Sequence, residues 1–424
     1  MRKSVCEERL CTGCSACSQI CPQGAILMIE NNEGFLYPHI NGSLCNSCDL
    51  CVRTCPINQV ALKELEYGRA PDSQHGKAPG SRQDKTPDIQ HGKASDSRYN
   101  ETPDIGHRAY ACFSKNEAVR AQSSSGGVFS QLAMKVLAQN GAVFGAGFGK
   151  FFKVRHKFIE KAEELDDLRR SKYVQSDTSA AFREARELLK SGRKVLFSGT
   201  PCQIAGLKAF LGREYENLTA CEIACHGVPS PKVWQMFLGF LKKQYNSEIK
   251  TVSFRDKSTG WNSSSMRIGF ENGSQYADLV NRETFLTGCW KSIFNRRSCF
   301  DCKFRIDNTK ADITLADFWG IDRQDDADFK DNKGVSLVIT HTDAGERAME
   351  RIAGELCRKP RSLDEAVKYN PRLVSSVAEP AGRGKFFGDM GAGWDFGRLR
   401  RKYMDNFTWK YKAKKLVKRV LGRG

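Results

Sequence analysis

The 424-residue chain has no run of eighteen apolar residues, so no segment reads as a membrane-spanning helix. Its first residues, Met1-Arg-Lys-Ser-Val-Cys-Glu-Glu-Arg9, lack the apolar core of an export signal, and the expectation is a protein of the reducing cytoplasm. Residues 66–108 are nearly devoid of large apolar groups. They carry a decaying sixteen-residue repeat, Asp72-Ser-Gln-His75, Asp88-Ile-Gln-His91 and Asp104-Ile-Gly-His107. Such a stretch cannot bury enough surface to offset its ordering entropy, so 61–108 reads as a linker; metal binding by its histidines is the alternative. The last 27 residues, Arg398 to Gly424, hold a single acid, Asp405, against eleven Lys or Arg. They account for +10 of the formal net charge of +18, so the basicity describes the tail and leaves the rest moderately basic.

What is present is cysteine, seventeen in all. Cys11-x2-Cys14-x2-Cys17-x3-Cys21-Pro22 recurs as Cys45-x2-Cys48-x2-Cys51-x3-Cys55-Pro56. This is the bacterial ferredoxin spacing, in which three cysteines hold one cubane and the fourth reaches the other. It groups Cys11, Cys14 and Cys17 with Cys55, and Cys45, Cys48 and Cys51 with Cys21. Zinc knuckles favour two cysteine pairs or added histidine, and a disulfide framework needs an oxidising compartment. Thiolates are soft ligands suited to iron in a sulfide cage.

The length suggests two or three domains. Residues 1–60 form the two-cluster module, with a β-hairpin read from Ala25–Ile29 and Phe35–Ile40. Beyond the linker the pattern alternates. Helices are expected at 130–140, 178–191 and 204–211, strands at 141–147, 193–199 and 218–225, and mostly β structure at 250–290. The fold class is therefore multidomain: a ferredoxin-like module followed by an α/β body with a mixed sheet, divided at 109–205 and 206–390, with a tail at 391–424.

Four further cysteines look placed. Cys202 opens a helix after a buried strand, where helix-end amides favour a thiolate. Cys225 ends the next strand, and Cys299-Phe-Asp-Cys302 lies in a basic stretch. Neighbouring strand ends converge on one sheet edge, which would gather all four. A third cluster, a zinc site and buried free thiols all remain open from spacing alone. Cys221 is a substitute ligand on the Cys225 strand; Cys6, Cys112, Cys289 and Cys357 read as core or surface thiols.

Ser123-Ser-Ser-Gly-Gly127 before a helix permits close approach of phosphate or a flat ring, although such loops are often plain helix starts. Lys172, in Ser171-Lys-Tyr-Val-Gln-Ser176, is either a partner for a flavin anion or a solvated lysine. Asp312-Ile-Thr-Leu-Ala-Asp-Phe-Trp-Gly320 ends a strand with two carboxylates and an aromatic pair.

These motifs, with Gly199-Thr-Pro-Cys-Gln203, Cys225-His-Gly-Val-Pro-Ser230 and Phe254-Arg-Asp-Lys257, resemble the coenzyme F420 hydrogenase/dehydrogenase beta-subunit family. With the N-terminal module, the chain is most similar to fused bacterial members, often associated with surface-polysaccharide gene clusters. The resemblance spans residues 1–60 and about 109–390. It implies an iron–sulfur flavoprotein oxidoreductase: FAD beside Ser125, Gly126, Gly127, Lys172, Tyr173 and Thr200, and a third 4Fe–4S cluster on Cys202, Cys225, Cys299 and Cys302. Electrons would come from ferredoxin, a reduced deazaflavin or a partner subunit and pass to a small-molecule substrate. Ser125 stands where deazaflavin-using members have an acid, which counts against that substrate. A non-catalytic electron-transfer subunit is the alternative. His226 and Asp317 are candidate catalytic residues by location.

In the tail, Trp409, Ala413, Leu416 and Val420 recur at helical spacing among Lys and Arg. A basic amphipathic helix of this kind suits an anionic membrane surface, giving peripheral inner-membrane association as the expectation. A helix docked on the body is the alternative. No nucleic-acid recognition motif accompanies the charge.

Overall fold

The computed structural model describes residues 4–66, 107–323 and 326–405. The repeat and Trp409, Ala413, Leu416 and Val420 lie outside the described residues, except for His107. No described helix is long and apolar enough to cross a membrane.

In the N-terminal module the hairpin pairs Ile26–Glu30 antiparallel with Leu36–Ile40. Its duplication is written in the backbone. Gly13 and Ser15 in the first cysteine loop, and Ser47 and Asp49 in the second, all have left-handed φ between 57° and 68°. For Ser and Asp that conformation is unfavourable by roughly 1–2 kcal/mol, so the same strained turn is held in both cysteine loops. The module's last helix, Pro56–Glu66, runs past the boundary expected at residue 60.

The body is built on one eight-stranded mixed sheet. Ala142–Phe148, Val195–Gly199, Leu218–Ile223 and Ile313–Asp317 lie parallel at its centre. Val154–Ile159 closes one side antiparallel; Ser336–Thr340, Arg108–Ser114 and Leu356–Arg361 follow antiparallel on the other. Helices Val128–Leu137 and Ala181–Lys190 cover it, close to their expected positions. The helix expected at 204–211 starts earlier, at Pro201, because Thr200 caps it and Pro201 occupies its first turn. The strand expected to reach Cys225 stops at Ile223; Gly227, with φ +96°, and Pro229 belong to the turn that follows.

A three-stranded antiparallel sheet, Ile249–Asp256, Ser265–Phe270 and Gln275–Leu279, adds the expected β region. It packs on an aromatic core of Trp234, Phe237, Phe254, Phe285 and Phe294, each at most 1% exposed. Phe396, Leu399 and Met404 are buried in the same core, so the start of the expected tail is a helix docked on the body.

The module is seated against the body by specific bonds. Gln175 donates to the Thr12 carbonyl (2.8 Å), Thr178 to the Cys14 carbonyl (2.8 Å), and the Phe182 amide to Gln19 (2.9 Å). Arg383, 1% exposed, forks onto the Glu33 carboxylate and donates from Nε to the Asn295 carbonyl.

Candidate functional site: three cysteine sets and a polar loop

Three sets of four cysteines converge. In the first, Cys11, Cys14, Cys17 and Cys55 are all buried and close enough to influence one another's charge. In the second, Cys21, Cys45, Cys48 and Cys51 line one recess beside Pro22, with Cys48 exposed. In the third, Cys202, Cys225, Cys299 and Cys302 line another recess with Thr12, Arg296 and Arg305. Among the described residues, no three His, Cys, Asp or Glu side chains converge tightly enough to hold a single metal ion. Four thiols around an open recess suit a larger iron–sulfide core.

Burial pushes the thiols of Cys14, Cys225 and Cys299 up to about 12, and those of Cys17 and Cys202 upward as well. Such groups are poor nucleophiles at neutral pH and become thiolates when a positive partner compensates the charge. The third recess already holds cationic lining: Arg296, Lys303 and Arg305. The Arg305 Nε is buried without a hydrogen-bond partner among the described atoms. The Val228 amide donates to Cys299 Sγ (3.4 Å), as the Ala25 amide does to Cys21 Sγ (3.4 Å). This donor set fits an anionic cluster.

The first and third sets share a scaffold. Helix Pro201–Leu211 carries Cys202 in its first turn, while a Cβ added to its Gly206 would stand 2.9 Å from Cys14 Sγ. Four residues of helix rise about 6 Å, so the two sets flank a single helical turn. The second set reaches the surface at Cys48. Cys221 is not with them: it is wholly buried in the sheet core beside Leu196 and Ile313.

The second candidate region lies at the carboxyl ends of the central strands. The Ser123–Gly127 loop is strapped down. Ser124 Oγ accepts from the Ser171 amide (2.9 Å), Ser125 Oγ donates to the Val335 carbonyl (2.7 Å), and the Gly126 amide donates to Ser336 Oγ (3.0 Å). A Cβ on Gly126 would stand 2.3 Å from the Cys112 carbonyl, and Gly127 has φ +91°. Both glycines are thus demanded by packing and backbone, whatever binds there.

Lys172 Nζ donates to the Asp167 (3.2 Å) and Arg169 (2.6 Å) carbonyls, and burial draws its pKa down to about 7. Lys257, which charge counting does not single out, is the lysine bound to the loop. It donates to the carbonyls of Arg120 (2.7 Å), Ser125 (2.9 Å) and Lys333 (2.8 Å). Tyr173 sits edge-on to Phe254 and Trp290, and Trp290 is 42% exposed. Asp317 is ion-paired with Arg255 and accepts from Trp261 Nε1 (3.1 Å), while Trp261 stacks on Trp319. His226 lies near Trp290 and within electrostatic reach of Asp317; burial, then Arg372 and Arg305, lower its pKa. The Thr200 hydroxyl lies 3.2 Å from Cys202 Sγ, against the third cysteine set.

A ferredoxin-type module and a further four-cysteine recess, mounted on a mixed α/β sheet, define an iron–sulfur electron-transfer protein. Residues 10–59 match the 4Fe-4S dicluster domain. Residues 192–362 match the C-terminal part of the coenzyme F420 hydrogenase/dehydrogenase beta-subunit family. No curated protein matches the chain. Among solved structures, it is similar to a chain of the F420-reducing [NiFe] hydrogenase complex from Methanosarcina barkeri. That chain is 17% identical, with 62% of this chain and 88% of that one covered, at a TM-score of 0.42.

Proposed function

We propose that the chain is an iron–sulfur flavoprotein oxidoreductase that takes single electrons at its outer module and delivers pairs to a small substrate, such as a precursor of surface polysaccharide. The observation that carries this reading is the shared helix, which sets Cys202 of the third set one turn from the Cys14 contact of the first. Cys202, Cys225, Cys299 and Cys302 would hold a third 4Fe–4S cluster, with Arg296 and Arg305 offsetting its charge. When bound, FAD would couple one-electron delivery to two-electron chemistry. Ser125, Gly126, Gly127, Lys172, Tyr173 and Thr200 would surround it, with Tyr173 and Trp290 offering aromatic faces and Lys257 fixing the loop. Arg255 pairs with Asp317 and fixes its orientation, and His226, near Trp290, would be the proton carrier.

The donor would meet the exposed rim around Cys48. The test is anaerobic purification with iron, zinc, acid-labile sulfide and flavin measured on one sample. About twelve iron with matching sulfide and one FAD per chain supports the reading. About eight iron without flavin replaces it with a relay subunit that hands electrons to a partner enzyme. Zinc in place of iron would leave a scaffold.

A further inference from the structure

A row of hydrogen bonds runs from the rim of the eight-stranded sheet to a buried carboxyl. His107, the last histidine of the sixteen-residue repeat, meets His341 through their Nδ1 atoms (2.9 Å), edge to face. His341 Nε2 meets Thr314 Oγ1 (2.7 Å), and Thr314 Oγ1 donates to Glu222 Oε1 (2.7 Å). Thr309 closes the far side, donating to Glu222 Oε2 (2.9 Å) while accepting from the Ala311 amide (3.1 Å). Strand register sets the row. Thr314 pairs with Glu222 on one side and with Ile339 on the other, and His341 follows two residues beyond Ile339, on the same face. Thr340 pairs with Arg108, which leaves His341 and His107 opposite each other one step past the ladder. Both histidines are half-buried, whereas Thr314 and Glu222 are 2% and 3% exposed.

The donors are forced along the whole row. An ionised Glu222 only accepts, so the Thr314 proton points to it, His341 donates from Nε2 and His107 donates from Nδ1. Burial lowers the pKa of both histidines, that of His341 to about 3, so each neutral ring offers one donor and one acceptor nitrogen. We propose that His107, His341 and Thr314 form a proton path that loads Glu222 from solvent. A proton taken up at His107 Nε2 sends the Nδ1 proton to His341 Nδ1, the His341 Nε2 proton to Thr314 Oγ1, and the Thr314 proton to Glu222 Oε1. Every bond in the row reverses, one proton has entered, and neither ring is left charged. Thr309 donates in both states and ends the path. Glu222 stands three residues before Cys225, and Arg305, a cation within electrostatic reach of Glu222, donates to the Cys225 carbonyl (3.1 Å). The loaded proton offsets negative charge arriving at the third set. That use rests on the cluster proposed there; the path itself does not.

The test uses the full chain, purified anaerobically with its clusters. Time-resolved infrared spectra follow the Glu222 carboxyl band, assigned by its loss in E222Q, after a jump from pH 5 to pH 8. H107A and T314V should each release the Glu222 proton several-fold more slowly than wild type. Imidazole in the buffer should restore the rate in H107A and not in T314V. A wild-type rate in H107A overturns the path, as does a slow rate that imidazole leaves unchanged. Should T314V fail to fold, H107A, altered at the rim, carries the test alone. The use is read separately, in reduced-minus-oxidised infrared spectra at pH 8 with dithionite as reductant. The Glu222 band should grow on reduction of wild type and stay flat in C225A. A flat band in wild type carrying about twelve iron overturns the use. Wild type without a third cluster removes the use together with that cluster, while the pH jump still decides the path.

Discussion

Arg296 reaches from the body into the module and hydrogen-bonds Cys11 twice, from Nε to its carbonyl at 2.7 Å and from Nη2 to its Sγ at 3.7 Å. The same guanidinium lies over the Tyr37 ring, and the Arg296 carbonyl accepts from the amide of Cys299, a member of the third set. One fully buried cation therefore touches the first set and braces the third. Donors and positive charge at cluster sulfurs favour the reduced state and raise the potential. R296Q should lower the potential of the first cluster selectively, read by redox titration with electron paramagnetic resonance. R296K should do so less, since it retains charge but loses the fork.

Removing one thiol of the third recess separates the body's cofactor from the module's. C225A should lose about four of about twelve iron per chain, with the ferredoxin-type signals unchanged. Iron and sulfide analysis beside the wild type checks this. Unchanged iron content would remove Cys225 from any cluster.

The Glu33–Arg383 pair should dominate the seating of the module. E33Q leaves the Arg383 guanidinium buried without its counter-charge, and breaking a buried pair in this way costs about 3–5 kcal/mol. Thermal unfolding should show earlier exposure of the module hairpin, and hydrogen exchange at 26–40 should rise before exchange in the central sheet.

Glu222 gives a pH signature. It is 3% exposed, accepts from Thr314 (2.7 Å) and Thr309 (2.9 Å), and burial raises its pKa from 4.5 to about 7. The folded state therefore keeps a proton that the unfolded chain releases, so Glu222 erodes stability as pH rises from about 4.5 to about 7. E222Q keeps the hydrogen bonds and removes the charge. Its stability relative to wild type should grow across that window by up to about 3 kcal/mol, measured by denaturant titration at pH 5 and pH 8.

What the sequence makes legible is local. The cysteine spacings group thiols within short loops, and Thr200-Pro201 marks a helix start. Mixed-sheet order is not local: Arg108–Ser114 lies between Ser336–Thr340 and Leu356–Arg361, more than two hundred residues away, and no pattern in its own residues says so. Arg296 looks like one charge in a basic stretch, because only the seated module reveals its partner. Lys172 and Lys257 show the limit of reasoning by residue type: both are half-buried, and the carbonyls each one binds decide which holds the loop. The tail's Phe396 and Leu399 are apolar positions in a run dominated by charge, so the docking of their helix is legible only through the aromatic core that receives it.

The seating of the module has a consequence for how the polypeptide can be divided. Cys11, Thr12, Cys14, Gln19 and Glu33 on one side, and Gln175, Thr178, Phe182, Arg296 and Arg383 on the other, join the two parts without using residues 67–106. Covalent continuity is then a convenience of synthesis. Cleaved between 67 and 106, the halves should travel together through gel filtration, and the same protein encoded as two separate genes would assemble into the same electron path.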